Sequence, residues 1–238
     1  MSTQAVIILA LVISAIIGYL LGGINWAIIL TKMVQRKDIR DQGSGNAGMT
    51  NVLRSVGKLP ALLTFVGDFL KCVLAVLLSQ LIVNWMFMSP DLLLSPDYAP
   101  AGELLRYARY IAGAACVVGH IFPVYYGFRG GKGIVSAAAM IALTDWRVFL
   151  AVILTFGLLF LWKKIISLAS VSCAALYPVY TFLIVFLADY RRGFCGLRYL
   201  LFATGISLFI GALVLFKHRA NIGRLMRGEE KPIVKSKK

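Results

Sequence analysis

Long uninterrupted runs of apolar residues dominate this chain of 238 residues. A helix of about 20 apolar residues spans the roughly 30 Å hydrocarbon core of a membrane, and the sequence contains several runs of that length. Hydrophobic residues make up 60% of the chain and charged residues only 15%, against about a quarter in ordinary globular proteins. These values exclude a soluble fold. They predict an all-α integral membrane protein, because a helix satisfies its own backbone polar groups in lipid.

The apolar runs predict about seven transmembrane helices. The fourth run is too short to cross a bilayer comfortably, so it is either a short span or a half-inserted helix, and six spans is the alternative count. The predicted spans cover residues 6–30, 62–88, 107–128, 134–143, 147–162, 165–188 and 199–216. No internal repeat is evident, so residues 1–238 are predicted to form a single membrane domain, with a proline-containing loop at 89–103.

The positions of lysine and arginine predict the orientation, because cytoplasmic loops collect these residues near the ends of spans. With the N-terminus outside and the C-terminus in the cytosol, most basic residues fall on the cytosolic side. They are Lys32, Arg36, Lys37, Arg40, Arg54, Lys58, Arg129, Lys132, Lys163, Lys164 and the basic tail 217–238. The bias is imperfect, since Arg191, Arg192 and Arg198 lie on the other side. A fourth segment that does not cross would invert everything after it.

The net charge of +15 is interpreted as topology combined with attraction to anionic lipid, so no nucleic-acid partner is expected. No Lys or Arg precedes Lys32, which argues against a cleaved signal peptide. The four cysteines show no metal-binding or redox spacing. They are interpreted as packing residues, and they are Cys72, Cys116, Cys173 and Cys195.

Three short polar stretches interrupt the apolar pattern, and the first covers residues 43–54. Its Gly43, Gly45 and Gly48 match the dinucleotide fingerprint by letter, but that fingerprint needs a buried strand before the first glycine, and here polar and charged residues precede it. The glycines still let a backbone turn and point N–H groups at an anion. The phosphate-ligand candidates are Ser44, Asn46, Thr50, Asn51 and Arg54. The alternative is a turn that opens a helix at the membrane surface.

The second polar stretch runs from Gly119-His120 to the sequence Gly130-Gly131-Lys132-Gly133. It is not a Walker A loop, because Gly133 stands where Ser or Thr must follow the lysine. A glycine-flanked lysine directly before a predicted helix still suits an anion, since N–H groups and the helix dipole face it. Ser136, one turn into that helix, adds a hydroxyl. The alternative is a tight interhelical turn with a lysine that sets topology.

The third polar stretch follows the last predicted span. His218 and Asn221 are three residues apart, so on a continuing helix they share a face, and Arg224 continues it. The alternative for His218 is a cation at a helix C-terminus. Asp68 and Lys71 lie inside the second predicted span at helical spacing. They are predicted to form a structural ion pair, because ionisable residues within a membrane pair or serve function.

The catalytic residues of several other enzyme classes are absent from this sequence. Metal-dependent phosphotransferases of membranes need clustered aspartates, whereas this chain has ten acidic residues and no suitable cluster. The His-x-x-x-x-Asp pair of other glycerolipid acyltransferases is absent, because Tyr125 stands at the aspartate position. No Gly-x-Ser-x-Gly elbow is present. A site without metal or cofactor, rich in phosphate ligands, remains.

These motifs resemble the bacterial acyl-phosphate:glycerol-3-phosphate acyltransferases, the PlsY type, along nearly the whole chain. Departures from the family pattern are small: Met49 stands where alanine is usual, residues 134–136 differ from a Val-Ala-Thr-like run, and loop 89–103 is longer. The matching residues are Gly43 to Asn46, Thr50, Asn51, Arg54, Gly119, His120, Pro123, Phe128 to Gly133, His218, Asn221, Arg224, Leu225, Gly228 and Glu229, with the Asp68-to-Lys71 spacing and the stretch from Tyr19 to Gly22.

The resemblance implies transfer of a fatty acyl group from long-chain acyl phosphate to the 1-hydroxyl of glycerol 3-phosphate, at the cytosolic face of the bacterial inner membrane. It implies acceptor binding and catalysis by Ser44, Arg54, Lys132, His218 and Asn221. The other implied substrate-binding residues are Gly43, Gly45, Asn46, Thr50, Asn51, His120, Gly130, Gly131, Gly133, Ser136 and Arg224. Either His218 or the donor phosphate is the base. The alternatives are an acyltransferase using acyl-CoA or acyl-carrier protein, and a transporter of small organic phosphates.

Overall fold

The computed structural model describes residues 2–87, 101–230 and 232, and every regular element among them is helical. The predicted end of the second span at residue 88, most of the predicted loop 89–103 and most of the tail beyond residue 230 lie outside the described residues. The last three residues of that predicted loop are helical. The chain divides into two compact units, Met1–Thr144 and Asp145–Lys238.

The first unit is built from six helices among its described residues. They are α1 Thr3–Gly23, α2 Trp26–Gln35, α3 Met49–Ser55, α4 Lys58–Phe87, α5 Ala101–Ile121 and α6 Ile134–Thr144. Single 3₁₀ turns lie at Ile39–Asp41 and Val124–Tyr126. The prediction that the third span continues to residue 128 is wrong, because α5 ends at Ile121 and Pro123 cannot continue a helix.

Helices α1 and α5 approach closely because small residues line their contact. A Cβ atom at Gly18 would lie 2.5 Å from the carbonyl oxygen of Ala112, and one at Gly22 would meet the carbonyl of Cys116. Small residues four apart let helix backbones pack tightly in lipid, where burial of apolar surface gives little preference for one helix over another. The Tyr19 hydroxyl also donates to the carbonyl of Phe122 at 2.8 Å, which ties α1 to the loop after α5.

The first apolar run is one candidate span, Gln4–Gln35, but it is not the single helix that was predicted. Helix α1 ends at Gly23, and Ile24 has an extended backbone. The Asn25 side chain then caps α2 by accepting from the N–H of Ile28 at 3.1 Å. Lys71 Nζ donates to the Ile24 carbonyl at 2.7 Å. The break is stable because tertiary contacts satisfy the backbone groups that it frees.

The second unit holds α7 Trp146–Lys163, α8 Ile166–Val185, a π-helical turn Phe186–Tyr190, α9 Leu197–Lys217 and α10 Arg219–Met226. Arg147 joins the start of α7 to the π-helical turn after α8, since its guanidinium lies 2.7 Å from Asp145 and 2.8 Å from Asp189. These three charges form an ion cluster that the spacing did not reveal.

Five segments of the described chain are long and apolar enough to cross a membrane. They are Gln4–Gln35, Lys58–Met86, Trp146–Lys163, Ile166–Tyr190 and Leu197–Lys217. Helix α6, at 11 residues, is about 16 Å long, roughly half of the hydrocarbon core, as expected for the short fourth run. Helix α5 carries Glu103, Arg106 and Arg109 and is not among the five. Cys72, Cys116 and Cys173 are buried free thiols, and Cys195 is half-buried.

Candidate active site

The side chain of Asn51 sets the shape of the first polar loop, residues 43–48. Its Nδ2 lies 2.9 Å from the carbonyl oxygen of Gln42 and 3.1 Å from those of Ile39 and Asn46, while its Oδ1 accepts from the N–H of Ser44 at 3.0 Å. Asn51 is buried. Its amide is therefore committed to the backbone and positions the loop, and a contact of Asn51 with the substrate stays a prediction.

Two glycines in loop 43–48 have backbone angles that favour glycine. Gly43 has φ of 55° and Gly45 has φ of 68°, in the left-handed region. This conformation leaves the Ser44 side chain between them exposed. Arg54 on α3 is also exposed, and Asn46 and Thr50 are half-buried. These four side chains are accessible to a polar substrate.

The glycines of the second loop, residues 130–133, fold back onto the end of α5. The N–H of Gly130 donates to the Ile121 carbonyl at 3.2 Å, and the N–H of Gly131 donates to the His120 carbonyl at 3.1 Å. These two N–H groups are therefore occupied by the end of α5, and a contact of Gly130 or Gly131 with the substrate stays a prediction. The last carbonyls of a helix need partners, and here the two glycines supply them. That Lys132 and Gly133 bind an anion stays a prediction.

Loops 43–48 and 130–133 meet in the first unit. A Cβ atom at Gly131 would lie 2.6 Å from the Ala47 carbonyl oxygen and would also strike the His120 ring. Glycine is required there because the two loops touch. The Ala47 carbonyl also accepts from Asn25 Nδ2 at 3.4 Å.

Arg40, three residues before the first polar stretch, binds the second polar stretch. Its Nη1 donates to the carbonyls of Tyr126 at 2.8 Å and Arg129 at 3.3 Å. Its other guanidinium nitrogens bind Asp38, with 2.7 Å between Nη2 and Oδ2. The hydrogen bond from Arg40 holds the pKa of Asp38 below its usual value, although burial opposes this. The structure thus brings the first two polar stretches together.

Ser136 and His120 lie beneath these loops, both buried. Ser136 Oγ donates to the Asp68 carbonyl at 3.3 Å, and His120 Nδ1 lies 2.9 Å from Lys71 Nζ. Lys71 Nζ also lies 2.8 Å from Asp68 Oδ1. The predicted ion pair of Asp68 and Lys71 is confirmed.

His218 lies at the junction of α9 and α10, and it is buried. Its Nδ1 lies 2.8 Å from the Val214 carbonyl oxygen. Because a carbonyl only accepts, Nδ1 carries a proton. Nε2 is therefore the nitrogen of this imidazole that is able to accept a further proton.

Glu230 organises the rest of the third polar stretch. Its Oε1 accepts from Ser167 Oγ and Asn221 Nδ2, each at 2.7 Å, and its Oε2 accepts from Arg224 Nε at 2.5 Å. Burial raises the pKa of Glu230, but hydrogen bonds from Arg224, Ser167 and Asn221 outweigh this and hold the pKa below its usual value. A turn at Gly228, with φ of 71°, returns the chain so that the carboxylate reaches α10.

Among the described residues, no group of three or more His, Cys, Asp or Glu side chains is placed to hold a metal ion. The exposed and half-buried groups of the two adjoining loops are hydroxyl, amide, ammonium and guanidinium groups. These are donors that suit phosphate oxygens.

The family model described as glycerol-3-phosphate acyltransferase matches residues 12–228. The chain belongs to this family. The glycerol-3-phosphate acyltransferase of Clostridioides difficile is 35% identical over 97% of this chain and 98% of the relative. That of Thioalkalivibrio sulfidiphilus is 38% identical over 94% of this chain and 93% of the relative. The resemblance drawn from the motifs is confirmed.

Two crystal structures of the integral membrane glycerol 3-phosphate acyltransferase PlsY (YgiH) share the fold of this chain. The glycerol 3-phosphate form matches with a TM-score of 0.72 and 31% identity over 94% of this chain and 96% of that chain. The lysophosphatidic acid form matches with a TM-score of 0.69 and 30% identity over 94% and 95%. An integral membrane fold is therefore shown for this acyltransferase.

In this acyltransferase, motif reasoning missed Glu230. Its signal in the sequence is a carboxylate two residues after Gly228, but five residues separate it from Arg224 and hide the contact. The first two polar stretches lie in the first unit and the third lies in the second unit. That the third joins the other two in one site stays a prediction.

Proposed function

We propose that this membrane acyltransferase moves a fatty acyl group from acyl phosphate to the 1-hydroxyl of glycerol 3-phosphate, giving 1-acyl-glycerol 3-phosphate and phosphate. The observation that carries the proposal is the contact between loops 43–48 and 130–133 at Ala47 and Gly131. Two substrates that each carry a phosphate group need two neighbouring sets of hydrogen-bond donors that bind phosphate oxygens. The glycerol 3-phosphate and lysophosphatidic acid forms of the PlsY structures support this acceptor and this product.

The acceptor is assigned to Ser44 and Arg54 together with Lys132, His218 and Asn221. Arg54 offers a planar fork that matches phosphate oxygens in two places, and its exposure leaves it accessible. Ser44 offers a hydroxyl from a loop that Asn51 holds in place. The acceptor assignment follows the family correspondence of these residues.

The donor phosphate is assigned to Lys132, Gly133 and the first turn of α6, with Asn46 and Thr50 beside them. The N–H groups of a first helical turn have no partner within the helix, and the helix dipole favours an anion there. Gly130 and Gly131 shape the loop through their backbone contacts. Ser136 supports it from below through the Asp68 carbonyl.

An acyl phosphate is a mixed anhydride with phosphate as a good leaving group. The acceptor oxygen attacks the acyl carbon, a new ester C–O bond forms, and the C–O bond to phosphate breaks. The hydroxyl proton goes either to His218 Nε2 or to an oxygen of the donor phosphate. Positioning and neutralisation of charge supply the acceleration without a covalent enzyme intermediate. In this proposal the active site faces the cytosol, which is the side of the membrane where Lys and Arg residues collect.

A donor assay tests the proposed function. Purified protein in lipid nanodiscs is incubated with glycerol 3-phosphate and, separately, with acyl phosphate, acyl-CoA or acyl-carrier protein. Acyl phosphate alone is expected to give 1-acyl-glycerol 3-phosphate. Product from acyl-CoA or acyl-carrier protein, with none from acyl phosphate, would overturn the donor assignment.

Lys132→Ala tests the phosphate-ligand assignment. Removing one group that stabilises developing charge costs about 10²-fold or more in turnover, so kcat of this variant should fall at least that far. Lys58→Ala is the matched control, because Lys58 is an exposed lysine at the start of α4 and should leave kcat unchanged. Wild-type kinetics in Lys132→Ala would refute the assignment.

His218→Gln and His218→Ala separate the two possible bases. If imidazole is the base, both variants lose turnover alike, because an amide cannot take the proton. If the donor phosphate takes it, Gln should retain a substantial rate by keeping a hydrogen-bonding side chain of similar length. Steady-state kinetics with saturating acyl phosphate measure the difference.

A further inference from the structure

Three ionisable side chains lie side by side beneath loops 43–48 and 130–133. Asp68 and Lys71 are on α4 and His120 is at the end of α5, with side-chain exposures of 2%, 3% and 5%. Lys71 Nζ lies 2.8 Å from Asp68 Oδ1, 2.9 Å from His120 Nδ1 and 2.7 Å from the Ile24 carbonyl oxygen. The Lys71 ammonium thus pairs with the Asp68 carboxylate and lies within hydrogen-bond distance of the His120 ring and the Ile24 carbonyl.

The Lys71 contact determines the protonation of His120. His120 Nδ1 lies nearer to Lys71 Nζ, at 2.9 Å, than to Asp68 Oδ1, at 3.5 Å. Because an ammonium group only donates, Nδ1 accepts from it and the imidazole carries its proton on Nε2. The neutral imidazole leaves Asp68 and Lys71 as a balanced pair of charges. A protonated His120 would add an unbalanced charge to a site closed to water, which burial disfavours.

Lys71 is connected to both loops. On one side, His120 Nε2 faces Gly131, since a Cβ atom at Gly131 would strike that nitrogen, and the Gly131 N–H binds the His120 carbonyl. On the other side, Ile24 directly precedes Asn25, which caps α2 and donates to the Ala47 carbonyl. One ammonium thus anchors the backbone next to each loop.

We propose that Asp68, Lys71 and His120 form a positioning network that sets the separation of loops 43–48 and 130–133. In this network His120 is a positioning residue and not a substrate ligand. The proposal rests on the proposed function in one respect, that the two loops hold the two substrates. A misplacement of reacting groups by about 1 Å costs about 10²-fold in rate, so the network acts chiefly on kcat.

The double variant Asp68→Leu/Lys71→Met tests the network by kinetics. Replacing a buried ion pair by apolar residues of similar volume preserves folding, whereas removing one partner leaves a buried charge unpaired. The double variant should fold, lose about 10²-fold in kcat, and keep its KM for glycerol 3-phosphate within about threefold. Ser79→Ala is the control, since Ser79 is buried on the same helix and binds the Ala108 carbonyl. A folded double variant with wild-type kcat overturns the proposal.

Histidine NMR tests the network without any turnover. The chain has two histidines, and the structure assigns them opposite tautomers, Nε2–H in His120 and Nδ1–H in His218. Spectra of ¹⁵N-histidine-labelled protein should show both, and the double variant should change only the His120 signals. A cationic or Nδ1-protonated His120 in the wild type overturns the proposal. Because this readout needs no substrate, it stands even if the donor assay contradicts the proposed function.

Discussion

Single side chains in this acyltransferase divide into those that hold backbone and those that remain open to a substrate. The amide of Asn51 forms hydrogen bonds with the backbone of loop 43–48. The carboxylate of Glu230 accepts hydrogen bonds from Ser167, Asn221 and Arg224. Buried polar groups need partners, and leaving one without a partner costs more than the bond itself contributes. The polar residue types in a motif therefore do not by themselves identify the ligands.

Glu230→Gln should make the protein less stable at neutral pH and less sensitive to acid. The folded pKa of Glu230 lies below its ordinary value of 4.5, so its contribution is complete above that pH and is lost as the pH falls through the folded pKa. A hydrogen bond to a charged group contributes about 2 kcal/mol, which is the expected loss in the variant. Thermal unfolding between pH 7 and pH 3 measures both effects.

Glu229→Gln is the control for this prediction. Glu229 pairs with Arg227 at 2.8 Å in an exposed position, and exposed pairs contribute about 1 kcal/mol or less. Its variant should follow the wild-type stability curve closely. Equal acid sensitivity of Glu230→Gln and the wild type would show that the Glu230 contacts do not stabilise the fold.

At the scale of elements, close approach of helix backbones positions the loops. Gly18 and Gly22 bring α1 against α5, so the break at Ile24 and Asn25 comes to lie beside the end of α5. Gly211 of α9 allows a similar close approach to α8 in the second unit, where a Cβ atom would lie 2.6 Å from the Ala174 carbonyl. The small residues in these helices are therefore packing surfaces.

Gly22→Ala should destabilise the protein by about 1–3 kcal/mol, the usual range for overpacking a tight contact. The added methyl group would meet the Cys116 carbonyl, a backbone group that cannot move aside as the end of a flexible side chain can. Gly205→Ala on α9 is the control, because a Cβ atom there meets nothing within 4 Å and alanine favours helix. Fluorescence-detected thermal unfolding compares them. If Gly22→Ala is as stable as Gly205→Ala, the α1–α5 contact is looser than described.

At the scale of the whole molecule, α6 decides the topology. It is half the length of a span, and the orientation of every later helix depends on whether it carries the chain across the membrane. The Lys and Arg distribution favours a crossing, with N-terminus outside and C-terminus in the cytosol. Under that topology the third polar stretch faces the same compartment as the first two.

Reporter fusions test this topology. A fluorescent protein at the C-terminus should fluoresce, because it matures in the cytosol, and alkaline phosphatase inserted after Arg192 should be active, because it matures outside. Insertion of the phosphatase after Lys164 is the control and should be inactive. A dark C-terminal fusion with an inactive phosphatase at residue 192 would mean that α6 does not cross.

Prediction succeeded where the signal is local. The apolar runs, the short fourth helix, the ion pair of Asp68 and Lys71 and the family could all be read from residues close together in the chain. The sequence did not reveal the break in the first run or the backbone partners of Gly130 and Gly131. Lys71 and Ile24 are 47 residues apart, and the partners of Gly130 and Gly131 lie on α5, so neither contact leaves a local pattern.

The sequence alone determined the membrane fold class, because lipid requires apolar helices of a set length. It also determined the three polar stretches and the family, because the motif residues and their spacing are visible along the chain. Only the tertiary structure decided what each polar residue does. It showed the buried partners of Asn51, His120 and Ser136, the two glycine N–H groups that bind the end of α5, and the contacts of Glu230. The reason is physical: a buried hydrogen-bonding group takes whichever partner the packed helices bring to it, and that partner is distant in sequence.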